Sequence, residues 1–268
     1  MTTNGAAPDP ERLATLRARI DELDEVLHHS LIERSAIIDE LIVAKGSKAS
    51  EGAAFRPGRE ADMFRRLAQR HAGSLPLIDV EHLWHVIIAA HTALQAPFRV
   101  FVDVSGDPLP SWDAARFLVG FAVPVEPCGS PAGVIEAMGE AGSALGLVPV
   151  AARGDWWLGL GGDGPRVMAR TPSVEIAGRD AETGAGAPHW VLAPVLSDPV
   201  PFDVALTRLS FGGDVDGSLL GEHEHRALAA AQTEAGQAWL VAGEVPEALR
   251  SAALDSVDCG GYHRPAEA

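Results

Sequence analysis

Between Pro10 and Gly46 the chain contains neither proline nor glycine, and its apolar residues recur with the period of one helix face. Leu13, Leu16, Ile20, Leu23, Leu27 and Leu31 follow one another at intervals of three or four. Asp9-Pro10-Glu11 supplies a helix start, with proline near the first turn and acid after it. The pattern predicts a helix of about 36 residues, roughly 54 Å long. Ordinary globular helices are far shorter. A small domain cannot cover such a stripe alone, so it calls for a partner, often another copy of itself.

Continuing the stripe leads to Arg34, Ile38, Leu41 or Ile42, and Lys45. A charge on a core-facing position is costly unless an opposite charge pairs with it. No carboxylate of the helix sits in register beside either cation. The simplest counter-charge is an anionic small molecule held between helices. Arg34 and Lys45, eleven residues apart, fall on nearly one face about 16 Å along the axis, a spacing that suits the two ends of a small dianion. Arg17 lies about 25 Å from Arg34 and roughly 100° around the helix. It cannot share a small site with Arg34 on one straight helix, but it could serve a site in a second, antiparallel subunit.

The length of 268 residues allows one large core or two small ones, and 47% hydrophobic with 22% charged residues is ordinary for a soluble protein. The start lacks a signal peptide and no apolar run reaches a membrane span, so no membrane partner is expected. Cys128 and Cys259 are too few for a disulfide framework and have no metal-ligand set near them. A reducing cytoplasm is the expected location, with neither metal nor cofactor. Net charge is −16 and unevenly spread: up to Pro97 there are 11 Lys and Arg against 14 Asp and Glu, and beyond it 10 against 23 with no lysine. That balance disfavours nucleic acid as a partner.

Two further helices are expected, from Pro57 to Ala72 and from an Asp79 cap through Leu83, Val86, Ile87, Ala90 and Leu94. His91 and Gln95, four apart, share a face of the latter. One long and two shorter helices make an all-α unit over residues 10–96. From Phe98 the texture changes to an α/β (or α+β) domain over 98–268, so the chain reads as multidomain. Strands are expected at Phe98–Val104, Phe121–Val125, Ala144–Val150, Arg166–Ile176, Trp190–Leu196, Asp203–Phe211 and Trp239–Ala242. Helices are expected at Trp112–Leu118, Ser130–Gly142 and Leu219–Ala235. Gly159 to Gly164 satisfies G-x-G-x-x-G, but Pro165 follows and a turn is expected. His223 and His225 fall on opposite faces of an expected helix, wrong for one metal. Trp156-Trp157 reads as local packing.

Leu16 to Asp24, Glu33-Arg34, Lys45, Phe55 to Glu60, and Ile87-Ile88 through Gln95 together resemble the all-helical chorismate mutases. The resemblance covers about residues 10 to 96. It implies a three-helix mutase domain forming an intertwined homodimer in which each long helix serves both sites. It further implies that Arg34 holds one carboxylate of chorismate and that Arg17 reaches across the interface to the other. Lys45 and Gln95 would donate to the ether oxygen, Lys45 also touching a carboxylate, Glu60 would accept from the ring hydroxyl, and Arg59 would line the site. His91 stands where the family often has a small hydroxyl residue, and Arg56 where it often has an acid.

The implied reaction, chorismate to prephenate, is a one-step pericyclic shift needing no nucleophile, metal or proton transfer. The enzyme has to hold the folded conformer and stabilise charge growing on the ether oxygen. Arginines suit planar carboxylates. With an amide as ether donor, turnover should change little from mildly acidic to mildly alkaline pH.

Residues 99–150 distantly resemble the first lobe of prephenate dehydratase, and Val257 to Tyr262 resembles the end of its regulatory module. The nearest approach to the dehydratase Thr-Arg-Phe element is Thr207-Arg208-Leu209. The other readings are an isochorismate pyruvate-lyase on the same scaffold, a bifunctional mutase/dehydratase, and a non-catalytic sensor of an aromatic metabolite. An aromatic amino acid is the effector this resemblance suggests.

Overall fold

The structure, a computed structural model, describes residues 9–45, 55–179, 186–196, 201–215 and 227–267. The chain divides into two compact units, Met1–Lys48 and Ala49–Ala268.

The first unit is built on one helix, α1 (Pro10–Lys45). Asp9 starts it, its carboxylate accepting from the backbone N–H groups of Glu11 and Arg12 at 3.1 and 3.2 Å. Thr15, Ser30 and Ser35, poor helix formers, bond back to the carbonyls of Glu11, Val26 and Leu31. Leu16, Ile20, Leu23, Val26 and Leu27 on the stripe are exposed.

In the second unit α2 (Pro57–Arg70) and α3 (Leu77–Gln95) come first, and α3 runs through Ala96, Pro97 and Phe98 into β1 (Arg99–Asp103). Then follow α4 (Pro108–Val119), β2 (Val125–Cys128), α5 (Pro131–Ala141) and β3 (Ala144–Pro149). Asp107 and Ser130 cap α4 and α5 through the amides of Leu109 and Gly133, each with proline at the first helical position. Next come β4 (Arg166–Arg170), β5 (Val174–Glu175), β6 (His189–Ala193) and β7 (Val204–Phe211). The last elements are β8 (Ala227–Thr233), β9 (Gly236–Ala242), α6 (Glu247–Ala252), β10 (Asp255–Tyr262) and β11 (Ala266–Glu267).

Among the described residues nine strands form one mixed sheet in the order β2-β1-β3-β6-β4-β10-β7-β9-β8. β1 pairs in parallel with both β2 and β3, while β6 is antiparallel to β3 and β4. β10 joins the halves, parallel to β4 at Gly260↔Val167 and antiparallel to β7. Gly260 has φ +86°, and a Cβ there would lie 2.0 Å from the Val167 carbonyl oxygen, so only glycine closes this seam. The Gly159–Gly164 stretch is a turn: Gly161 has φ +76°, with no room for a Cβ against the Asp258 carbonyl. The sheet has two buried faces. Phe101, Val148, Trp190 and Leu192 pack against α5 and the short 3-10 turn of Trp156–Gly159, where Trp157 is buried as local packing. Val100, Val102, Leu145, Leu147 and Val191 pack against α4 and Ala89 of α3.

Several expectations need correction. Ala227–Thr233, expected as part of a helix, is a strand paired with β9; Leu219–Arg226, including His223 and His225, lies outside the described residues. The second strand is Val125–Cys128 rather than Phe121–Val125, and Phe121 is exposed. Pro76, not Asp79, stands at the start of α3. The buried residues of α3 are Val80, Glu81, His85, Ala89, His91 and Thr92, whereas Leu83 and Leu94 are exposed.

Helices α2 and α3 do not make a core of their own. Phe64 and Leu67 of α2 and Val80 of α3 pack with Val174 and Ala266, on the small two-stranded sheet β5–β11. Each of the larger of these side chains, Phe64, Leu67, Val80 and Val174, contributes about 1.5–3 kcal/mol. A chain ended at Pro97 would expose all of these contacts. We expect circular dichroism of a 1–97 fragment to show loss of the helicity of α2 and α3, and retention of their full helicity would contradict this packing.

Candidate functional site

The residues singled out by the long stripe lie on α1. Arg17 is exposed, Arg34 is half-buried with Ile38, Leu41 and Ile42, and Lys45 is the last residue of the helix. The periodicity that selected Arg34 and Lys45 is thus realised as a continuous helix.

The remaining candidates lie in the second unit. Pro57 at the first helical position sets Arg59 and Glu60 in the opening turn of α2. Arg59 is exposed. Glu60 lines two adjoining recesses of about 520 and 340 Å³, mouths included. The first is walled by Phe64, His85, Ser173, Val191 and His263 as well as Glu60. The second is walled by Phe55, Ile88, Thr92 and Phe98 with Glu60. Burial pushes the Glu60 carboxyl up to about 7, against the opposing pull of a backbone hydrogen bond from Arg56. Near neutral pH this carboxyl is half ionised.

His91 is 7% exposed, and its Nδ1–H donates to the Ile87 carbonyl at 2.7 Å. It is a packed, hydrogen-bonded histidine. One turn further the Gln95 amide donates to the His91 carbonyl at 3.2 Å. Both sit on the flank of α3 beside Ile88, at the border of the face that lines the second recess with Ile88, Ala89 and Thr92. The structure brings Glu60 to the recess lined by Ile88, Ala89 and Thr92 of α3, and keeps Arg59 at the surface.

The sequence reading missed a buried cluster beneath these residues, formed by Glu81, His85, Ser173 and Arg179. Glu81 is 1% exposed and its carboxylate is fully engaged. One oxygen accepts from the amides of Ser173 and Val174 at 2.9 and 3.2 Å, and the other from Arg179 at 2.6 Å. Burial alone would raise this carboxyl. The bonds and charges of His85 and Arg179 outweigh burial and hold it below its ordinary value. The only local trace in the sequence is a Glu and a His four apart on α3.

Two other features have structural uses. Arg208, in the nearest approach to a Thr-Arg-Phe element, donates to the Leu158 and Leu160 carbonyls. His189, 1% exposed, donates from Nδ1 to the Ala187 carbonyl, and its Nε2 meets the Ser111 hydroxyl at 3.2 Å. Burial holds it below the ordinary histidine value, so it serves as a neutral bridge between β6 and α4. Among the described residues no cluster of His, Cys, Asp or Glu could hold a metal, and no helix is long and apolar enough to cross a membrane.

A long helix with cations on its apolar stripe is followed in the chain by two helices that carry an acid and an amide, and then by a large mixed α/β sheet domain. Residues 16–96 match the family model described as chorismate mutase type II. A bifunctional chorismate mutase/prephenate dehydratase of Pseudomonas aeruginosa is 34% identical over 95 residues, covering 34% of this chain and 26% of the relative. A protein of the same name from Stutzerimonas stutzeri is 32% identical over 95 residues, with the same coverage. The chain thus spans about a quarter of the length of the curated relatives it matches. No solved structure matches.

Proposed function

We propose that the protein is a chorismate mutase, rearranging chorismate to prephenate in phenylalanine and tyrosine biosynthesis. The observation that carries this reading is the family match over residues 16–96, which encloses Arg17, Arg34, Lys45, Arg59, Glu60, His91 and Gln95. Residues 10–96 are the catalytic region in this reading, and residues 98–268 are the domain that supports it.

Arg34 binds one carboxylate of chorismate, and Arg17 of a second subunit binds the other. Paired bidentately, they hold the folded conformer in which the new carbon–carbon bond forms. Lys45 and the Gln95 amide donate to the ether oxygen as its bond breaks and charge grows there. Glu60 accepts from the ring hydroxyl, Arg59 lines the entrance, and His91 packs behind Gln95. The exposed apolar stripe of α1 supports an intertwined homodimer, because contiguous apolar surface of that length ordinarily marks an interface. The two free cysteines suit a reducing compartment, and a cytoplasmic location belongs to the same reading. Phenylalanine or tyrosine, the end products, is the effector class to test by equilibrium dialysis.

The state of Glu60 adds a pH dependence. A hydroxyl donating to an ionised carboxylate makes a charge-assisted bond, about twice as strong as a neutral one. KM for chorismate should therefore fall a few-fold as pH rises through about 7, while kcat stays level because the ether donor is an amide. Steady-state kinetics from pH 5.5 to 8.5 check this, and Glu60→Gln should flatten the KM profile. A profile unchanged by that substitution would remove Glu60 from the site.

Chromatographic separation of products tests the function itself. Prephenate alone is the expected product. Phenylpyruvate in addition would establish a dehydratase in the second domain, against the structural use of Arg208. Pyruvate and salicylate from isochorismate, without mutase turnover, would establish the lyase. Binding of an aromatic metabolite with no turnover would favour the sensor.

A further inference from the structure

The Glu81 cluster joins segments far apart in sequence. Phe64 comes from α2, Glu81 and His85 from α3, Phe117 from α4, and Ser173 to Arg179 from β5 and its flanking loops. The Arg179 guanidinium donates to Glu81 at 2.6 Å and to the Val174 carbonyl at 3.2 Å, and lies over the Phe117 ring at 5.2 Å. The His85 ring packs tilted against Phe64, with ring centres 4.4 Å apart. Its Nε2 lies 3.3 Å from the Ser173 hydroxyl and 3.8 Å from Glu81. Because Ser173 and Glu81 approach the same ring nitrogen, the three cannot relay a proton as a nucleophilic triad does. The cluster is built to hold, not to react.

What it holds is α3. A buried carboxylate with two amides and a guanidinium on it tolerates little rotation of the helix that carries it, since any turn strands a charge without partners. At about 100° per residue, Gln95 and His91 lie roughly 40° and 80° around the helix from Glu81. Seating Glu81 therefore sets the direction in which the Gln95 amide is presented. The same cluster reaches α2 through His85 and Phe64, one turn beyond Glu60.

We propose that Arg179, a residue of the sheet domain, is a positioning residue for the mutase site: by clamping Glu81 it fixes the rotation of α3 and hence the aim of Gln95. The sheet domain is then part of the mutase machinery and not an independent passenger. This rests on the mutase reading above.

The test uses full-length protein and the variants Arg179→Met, Arg179→Lys and Glu81→Gln. Mutase kcat and KM are measured at low temperature, per folded molecule, with thermal melting beside them. The expected result for Arg179→Met is a tenfold to hundredfold fall in kcat with little change in KM, since an ångström of misplacement costs about that much. Arg179→Lys, which keeps the charge, should recover most of the loss. A lowered melting temperature with wild-type kcat would overturn the positioning role and leave only a structural one. If Arg179→Met fails to fold, Arg179→Lys and Glu81→Gln decide: both matching wild-type kcat overturns the proposal, and graded losses of kcat uphold it. Wild-type protein without chorismate turnover would overturn the mutase reading and the positioning role together. Turnover shared unchanged by all variants would overturn the positioning role alone.

Discussion

Arg34→Ala should lower kcat/KM for chorismate by about 10²- to 10³-fold. Removing one partner of a desolvated, bidentate ion pair costs about 2–5 kcal/mol, and each 1.36 kcal/mol is about a factor of ten in rate. Arg34 is half-buried in the long helix α1, on the stripe that ends at Lys45. Arg34→Lys should fall well short of full rescue, because an ammonium cannot reproduce the planar fork. In the intertwined dimer proposed above, Arg17→Ala should be impaired to a similar degree. Mixing unfolded Arg34→Ala and Arg17→Ala subunits and refolding them together would then regenerate sites with both arginines intact. Recovery of activity only in the mixture is the expected outcome of that kinetic assay. A mixture no better than its components would place both arginines in one subunit's site.

Glu81→Ala should cost about 3–5 kcal/mol of stability, the range for breaking a buried ion pair and leaving its partner uncompensated. Arg179 would lose its carboxylate, and the amides of Ser173 and Val174 would lose their acceptor. For a unit of this size that is a fall in melting temperature on the order of 10 °C. The same carboxylate governs acid sensitivity. Its folded-state pKa lies below the ordinary value of 4.5, so its contribution is complete above about pH 4.5 and is lost as pH falls through the lower folded value. Urea unfolding of wild type and Glu81→Gln between pH 3 and 7 measures this. The wild type should lose its advantage on acidification, and a difference independent of pH would contradict the role given to Glu81.

The helical half was legible wherever one local rule governed it. α1 follows from its uninterrupted stripe and from Asp9-Pro10, and the structure realises it from Pro10 to Lys45. The strands β1, β3, β6, β7 and β9 follow from β-branched and aromatic runs. Ala227–Thr233 did not follow, because four alanines favour a helix in isolation, and pairing with β9 overrides that preference. On α3 the apolar residues marked the wrong face. Leu83 and Leu94 are exposed, while the buried face includes Glu81 and His85, whose partners lie in the segment 173–179. A buried polar residue with a distant partner leaves no periodic trace, and Glu81 and Arg179 are 98 residues apart. The candidate cations Arg34 and Lys45 stood out for the opposite reason: they break a periodic pattern. The joining of α2 and α3 to the β5–β11 sheet was hidden as well, since only the fold brings Phe64, Val80, Val174 and Ala266 together.

The measurement that bears most directly on the account is the loss of chorismate absorbance on adding purified full-length protein, with the product identified as prephenate and Arg34→Ala run in parallel. The account predicts rapid conversion by the wild type and nearly none by the variant. A folded wild-type protein that leaves chorismate unchanged, or a variant as active as the wild type, would contradict it.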